Sequence, residues 1–147
     1  MVNPVHQIIC QLSGSVGLYV HQDCLSTILS ELFNNALEHG LLELDSSIKE
    51  TDDGFLRYYQ LRRERLERLE DGFINIDIQL IKIDNQSVIE IEVKDSGKGI
   101  CDEADASPSI DHAFGRGIDI VRKLCDSIEY SHGGSSVTVR YLLKKRV

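Results

Sequence analysis

Residues 73–83, FINIDIQLIKI, alternate apolar and polar side chains, and after the short break DNQ the run SVIEIEVKD (87–95) alternates again. Successive side chains of a strand point to opposite faces, so each run presents one apolar row and one polar row. Two such runs joined by a tight turn make an antiparallel hairpin, wet on one face and dry on the other. The rest of the chain must then supply a second layer to cover the dry face.

Helical periodicity supplies that layer. From Asp23, read as an N-cap, to about Gly40, residues Ile28, Leu29, Leu32, Phe33, Ala36 and Leu37 recur at the helical spacing and form one apolar stripe. A second helix is expected over about 54–70, with Gly72 as its C-terminal cap. Its aromatic residues suit core packing, and Tyr58 and Tyr59 also suit a docking or dimer surface. Residues 96–116 read as a long irregular segment. A third helix starts near Gly117 and runs through IDIVRKLCD, and SIEYS and SSVTVRYLL close the chain as a strand pair around HGG. The first twenty residues, broken near SGSVG, fit a strand or a helix equally. The order helix–helix–strand–strand–loop–helix–strand–strand predicts an α+β two-layer sandwich, with helices on one face of a mostly antiparallel sheet. A chain of 147 residues is one domain's worth.

Composition excludes several function classes. A formal charge of −8 argues against nucleic acid as the main partner. No apolar run is long enough to span a membrane, and the first residues lack the basic and apolar regions of a signal peptide. Cys10, Cys24, Cys101 and Cys125 form no CxxC pair and no zinc spacing, so they read as reduced, mostly buried thiols of a cytoplasmic protein.

Three polar features interrupt these patterns. In ELFNNALEHG (31–40), Glu31, Asn35 and His39 fall on one line of the helix, at the border of the apolar stripe. Taken singly, each is an ordinary solvated-face residue. Two successive asparagines nevertheless cost a few tenths of a kcal/mol each relative to alanine, a cost that calls for compensation. VKDSGKGI (93–100) ends a strand in Asp95 and follows it with Gly97 and Gly99, which permit unusual dihedrals or close approach of the backbone to a ligand. FGRGIDIV places Gly115, Arg116 and Gly117 at the start of a helix, where free amides attract phosphate. Each feature alone is weak.

Their order and spacing together are specific. Glu-x-x-x-Asn on an early helix, DxGxG at a strand end and GxG entering a later helix resemble the ATP-binding fold of DNA gyrase, the heat-shock 90 chaperones, histidine kinases and MutL (the GHKL, or Bergerat, superfamily). GSSV (134–137) is similar to that superfamily's last box, with Ser135 in place of the usual threonine. The resemblance covers nearly the whole chain and leaves residues 41–72 as an insertion. Within the superfamily, ELFNNALEHG is most similar to the anti-sigma-factor serine kinases of bacteria. The insertion resembles the ATPase-like domain at the C-terminus of fused response regulators, which carry a receiver domain and a PP2C-type phosphatase.

The resemblance implies ATP and Mg2+ as cofactors and assigns residue roles. Asp95 accepts the exocyclic amine of adenine, Gly97 and Gly99 let the purine pack on backbone, and Ser135 holds a water between Asp95 and the ring. Asn35 supplies an oxygen to the magnesium, whose remaining octahedral positions go to phosphate and water. Gly115, Arg116 and Gly117 hold the phosphates. His39 belongs to the helix end or the wall of the nucleotide site, and Asn34 is structural. Glu31 accepts the proton of an attacking hydroxyl, which fits the modest demands that phosphoryl transfer makes on a protein beyond positioning and charge. The chain departs from this pattern at CDEADASPSIDHAF (101–114), which carries four acids and no lysine or arginine. Each such acid ~7 Å from a phosphate charge repels it by about 0.6 kcal/mol in water, which predicts weak or partner-dependent ATP binding.

The implied function is serine phosphorylation of an anti-sigma-antagonist-like protein in bacterial partner switching. Implied partners are that antagonist, or a sigma or anti-sigma protein, the receiver and phosphatase domains of a parent chain, and a second copy in a homodimer. An ATP-binding docking module without phosphoryl transfer is the alternative. A histidine-kinase catalytic domain fits third, because no residue here looks like a phospho-accepting histidine on a dimerising helix pair.

Overall fold

The computed structural model describes residues 4–13, 19–97 and 116–143. Its centre is a four-stranded sheet built from β1 (Ile74–Ile83), β2 (Gln86–Asp95), β3 (Ser127–Ser131) and β4 (Ser136–Leu142). The strands lie in the order β1-β2-β4-β3, and every pairing is antiparallel. Asp84 and Asn85, both with positive φ, form the two-residue turn of the first hairpin, a backbone that suits the twist of the flanking strands. Its register pairs Ile78 with Ile91, Ile76 with Val93 and Ile74 with Asp95. Val139 and Val137 continue two of these rows on the far side of β2. One face of the sheet is therefore apolar, as the alternation requires, and Asp95 stands at the end of its central row. The alternation slips at Leu80–Ile81, and Leu80, though in the inward row, is 63% exposed beyond the edge of the helical layer.

That layer consists of α1 (Val5–Ser13), α2 (Gln22–Asn35), α3 (Gly54–Arg68) and α4 (Arg116–Leu124). The ambiguous first segment is thus helical where described; Val5 and Ile9 enter the core beside α2. Ile28, Leu29 and Leu32 of α2 are fully buried and meet Ile89, Ile91 and Val93 of the sheet, with Ile118 and Val121 of α4 completing the cluster. The architecture is the expected α+β sandwich.

Several boundaries differ from expectation. A short 3-10 turn, Tyr19–His21, feeds directly into α2, so the helix begins at Gln22 and Asp23 lies inside its first turn. There its charge favours the helix dipole without capping it. α3 stops at Arg68, with Leu69 already extended, and Gly72 is not its cap. With φ of 138°, Gly72 instead turns the chain beside Leu41 and Ser96 into β1. Cys10 is exposed, and Cys24 and Cys125 are half-buried; all three are free thiols, and Cys101 lies outside the described residues.

The end of the α2 rod departs most from a plain helix. From Ala36 to Leu41 the helix widens, and the N–H of Leu42 reaches the carbonyl of Leu37, five residues back. Such wide turns inside helices are rare and accumulate at functional sites.

Candidate functional site: a cleft between the long helix and the sheet

The wide turn begins immediately after Asn35 and carries Gly40 onto the end of β2. A Cβ on Gly40 would stand 2.5 Å from the Asp95 carboxyl carbon, and one on Gly97 would collide with the Gly40 carbonyl. Two glycines from distant parts of the chain are therefore pressed around one carboxylate. At Gly97 the need is for space, because its backbone does not adopt positive φ. The Gly97 N–H donates to Asp95 Oδ1 at 2.8 Å, and the Asp95 N–H donates to the Ser135 carbonyl at 2.8 Å. These bonds fix the carboxylate in place. Burial nevertheless dominates its energetics, lifting the Asp95 pKa from its usual 3.8 to about 6 despite the Gly97 hydrogen bond.

Asp95 opens into a hollow of about 280 Å³, part of it open to solvent, whose lining includes Leu32, Asn35, Val93, Ile118 and Tyr130. Asp95 and Asn35 thus both line a hollow whose walls are mostly apolar. Such a combination suits a flat heterocycle with one polar edge. Asn35 Nδ2 is buried and has no hydrogen-bond partner among the described residues. A buried amide left unsatisfied by its own protein costs about 1–3 kcal/mol, and here it borders the cleft.

Glu31, one helical turn earlier, is not among the residues that line the hollow and packs instead on α4. Its Oε2 packs so closely on Gly117 that a Cβ there would overlap it. The carboxylate therefore sits at the N-terminal turn of α4. Burial raises the Glu31 pKa above its usual range, Glu38 adds to the rise, and Lys49 opposes both. His39 is buried behind the helix end and is not brought to the hollow. Its Nδ1–H donates to the Leu44 carbonyl, tying down the chain that leaves the wide turn, and burial lowers its pKa.

Ser135 meets Asp95 through its backbone carbonyl, while its hydroxyl donates to the His132 carbonyl at 3.0 Å, and it is not among the residues that line the hollow. Gly99 and Gly115 lie outside the described residues, as does the acidic segment 101–114, and of Arg116 the backbone alone is described. Sequence reasoning missed Gly40 as part of the site. Its position directly after His39 was the available signal. The apolar wall residues Leu32, Val93, Ile118 and Val137 carried no signal apart from core periodicity.

Tyr58 also needs correction as a surface residue. It is fully buried and donates to Glu38 Oε1, while Tyr59 is 56% exposed. Arg62 pairs with Glu38 at 3.5 Å, and Arg65 donates to the Leu42 and Glu43 carbonyls, so α3 is fastened to the end of the α2 rod.

An antiparallel sheet under a helical layer, with a desolvated carboxylate and an unsatisfied amide lining one hollow, defines an α+β domain with a ligand-sized cleft at the end of its sheet. Comparison with protein families matches residues 21–141 to the histidine kinase-like ATPase domain, and the chain belongs to that family. Membership makes ATP the expected ligand of the cleft. Comparison with curated proteins and with solved structures returns no match.

The residues present fit Mg-ATP. Asp95 is a fixed acceptor of the kind an exocyclic amine needs, and Asn35 keeps an N–H donor without a partner among the described residues, its amide oxygen being the atom that would ligate a metal. Among the described residues no group of three His, Cys, Asp or Glu could hold a metal by itself. Magnesium carried in by phosphates needs only one protein oxygen. No helix among the described residues is long and apolar enough to cross a membrane.

Proposed function

We propose that the domain is an ATP-dependent serine kinase of anti-sigma-factor type, acting on an anti-sigma-antagonist-like protein in bacterial partner switching. The observation that carries this reading is the position of Glu31. Its desolvated carboxylate packs on Gly117 at the start of α4, one turn ahead of Asn35 and away from the adenine end of the cleft. A carboxylate with raised proton affinity at the phosphate end suits acceptance of a hydroxyl proton. ATP, when bound, supplies the phosphoryl group. Asp95 fixes the purine, the Asn35 amide oxygen serves the magnesium, and the backbone amides of Arg116 and Gly117 face the phosphates. Glu31 then receives the proton at its carboxylate oxygen.

A protein of this kind works beside receiver and phosphatase domains in one chain, or as a homodimer, and these are the proposed assembly partners. A second reading, an ATP-binding docking module without transfer, is favoured by one feature: four acids and no lysine or arginine in residues 101–114. Mass spectrometry of a candidate antagonist after incubation with Mg-ATP separates the two. The kinase reading expects one phosphorylated serine, lost in Glu31→Ala while ATP binding persists. Labelling that survives in that variant removes Glu31 from the chemistry. ATP binding with no labelled antagonist favours the docking module.

A further inference from the structure

The hollow is lined by no lysine or arginine among the described residues, and residues 101–114 contain neither. A triphosphate brings about four negative charges, which magnesium only partly offsets, so the phosphate end calls for protein cations besides Arg116, whose side chain lies outside the described residues.

Lys49 is a candidate on independent grounds. It sits in the 3-10 turn Ser46–Glu50, on the segment 41–72 read from the sequence as an insertion, and is half-buried. Among the described residues it makes no ion pair. Its ammonium rests instead 4.3 Å from the Tyr58 ring centre, with Phe55 and Tyr59 at 6.0 and 5.9 Å. Ring faces hold a cation weakly compared with a carboxylate or phosphate, so this charge is stored and not consumed. The neighbouring arginines are already engaged: Arg62 by Glu38, Arg65 by two carbonyls. Tyr58, on whose ring the ammonium rests, is itself bonded to Glu38, three residues beyond Asn35, and Glu31 two turns back touches the first turn of α4.

We propose that Lys49 turns from the face of Tyr58 into the mouth of the cleft and binds the terminal phosphates of the nucleotide. The buried Tyr58, held by Glu38, acts as the fixed rest from which the lysine departs. The insertion thereby becomes a working part of the nucleotide site, supplying the cation that residues 101–114 lack. This inference rests on the ATP-binding reading of the cleft.

The test is calorimetric titration of Mg-ATP and of adenosine into the wild type, Lys49→Ala and Lys49→Arg, with the fold of each checked by circular dichroism. One charge-assisted contact is worth about tenfold in affinity. Lys49→Ala should therefore lose about tenfold for Mg-ATP and nothing for adenosine, and Lys49→Arg should recover most of the loss. Unchanged ATP affinity in Lys49→Ala overturns the proposal. So does an equal loss for both ligands, the signature of a merely structural lysine. A wild type that binds adenosine through Asp95, but ATP no more tightly, overturns this proposal and leaves adenine recognition standing. A wild type that binds neither ligand overturns both.

Discussion

Replacing Asp95 by asparagine should make the nucleotide-free domain more stable while removing its affinity for adenine. Burial raises the Asp95 pKa from 3.8 to about 6. At about 1.4 kcal/mol for each tenfold change in proton affinity, ionisation of this group costs the fold about 3 kcal/mol well above pH 6. The cleft side of the carboxylate reaches solvent, which reduces this to about 2 kcal/mol. The sign follows from the direction of the change. An acid whose pKa is raised by folding costs nothing below its unfolded value of 3.8; the cost grows between 3.8 and about 6, and is complete above. About half of it remains at pH 5. The substituted amide would keep the oxygen that accepts the Gly97 N–H, has nearly the same shape as the carboxylate and never ionises. Urea unfolding without nucleotide should therefore find Asp95→Asn more stable by about 2 kcal/mol at pH 7.5 and by about 1 kcal/mol at pH 5. Mg-ATP should raise the wild-type midpoint and leave the variant's unmoved. A variant no more stable than wild type at pH 7.5 would refute the desolvation argument. Equal protection of both proteins by ATP would refute adenine recognition by Asp95.

Two further outcomes test the other end of the cleft. Asn35→Ala removes a buried amide whose Nδ2 has no partner among the described residues, so thermal unfolding should show a gain of about 1 kcal/mol without ligand, while ATP binding loses its magnesium dependence. Gly117→Ala places a methyl against the far end of the Glu31 side chain and not against backbone; the domain should melt within about 1 kcal/mol of wild type, yet lose most serine labelling.

Much of the architecture could be read directly from the chain. Alternation over 73–83 and 87–95 set the hairpin and its dry face, because side-chain direction in a strand is a two-residue property. The stripe from Ile28 to Leu37 set the long helix for the same local reason. Of the polar residues singled out in the chain, Asn35 at the edge of the apolar stripe and the strand-end Asp95 both line the hollow, whereas Glu31 and His39 do not. Helix ends were less legible. Asp23 and Gly72 carry ordinary capping chemistry, but the 3-10 turn Tyr19–His21 and the early stop at Arg68 decided the boundaries instead.

Contacts between residues far apart in sequence were left to the tertiary structure. No local rule places Gly40 on Asp95, Glu31 on Gly117, or Lys49 on the ring of a buried Tyr58. Each depends on how the helical layer seats on the sheet and on the widened turn at 36–41, which shifts Gly40 toward β2. Periodicity acts over a few residues and so is written in the chain. The depth at which a carboxylate is buried, and therefore its affinity for a proton or an adenine amine, is set only when distant segments close around it.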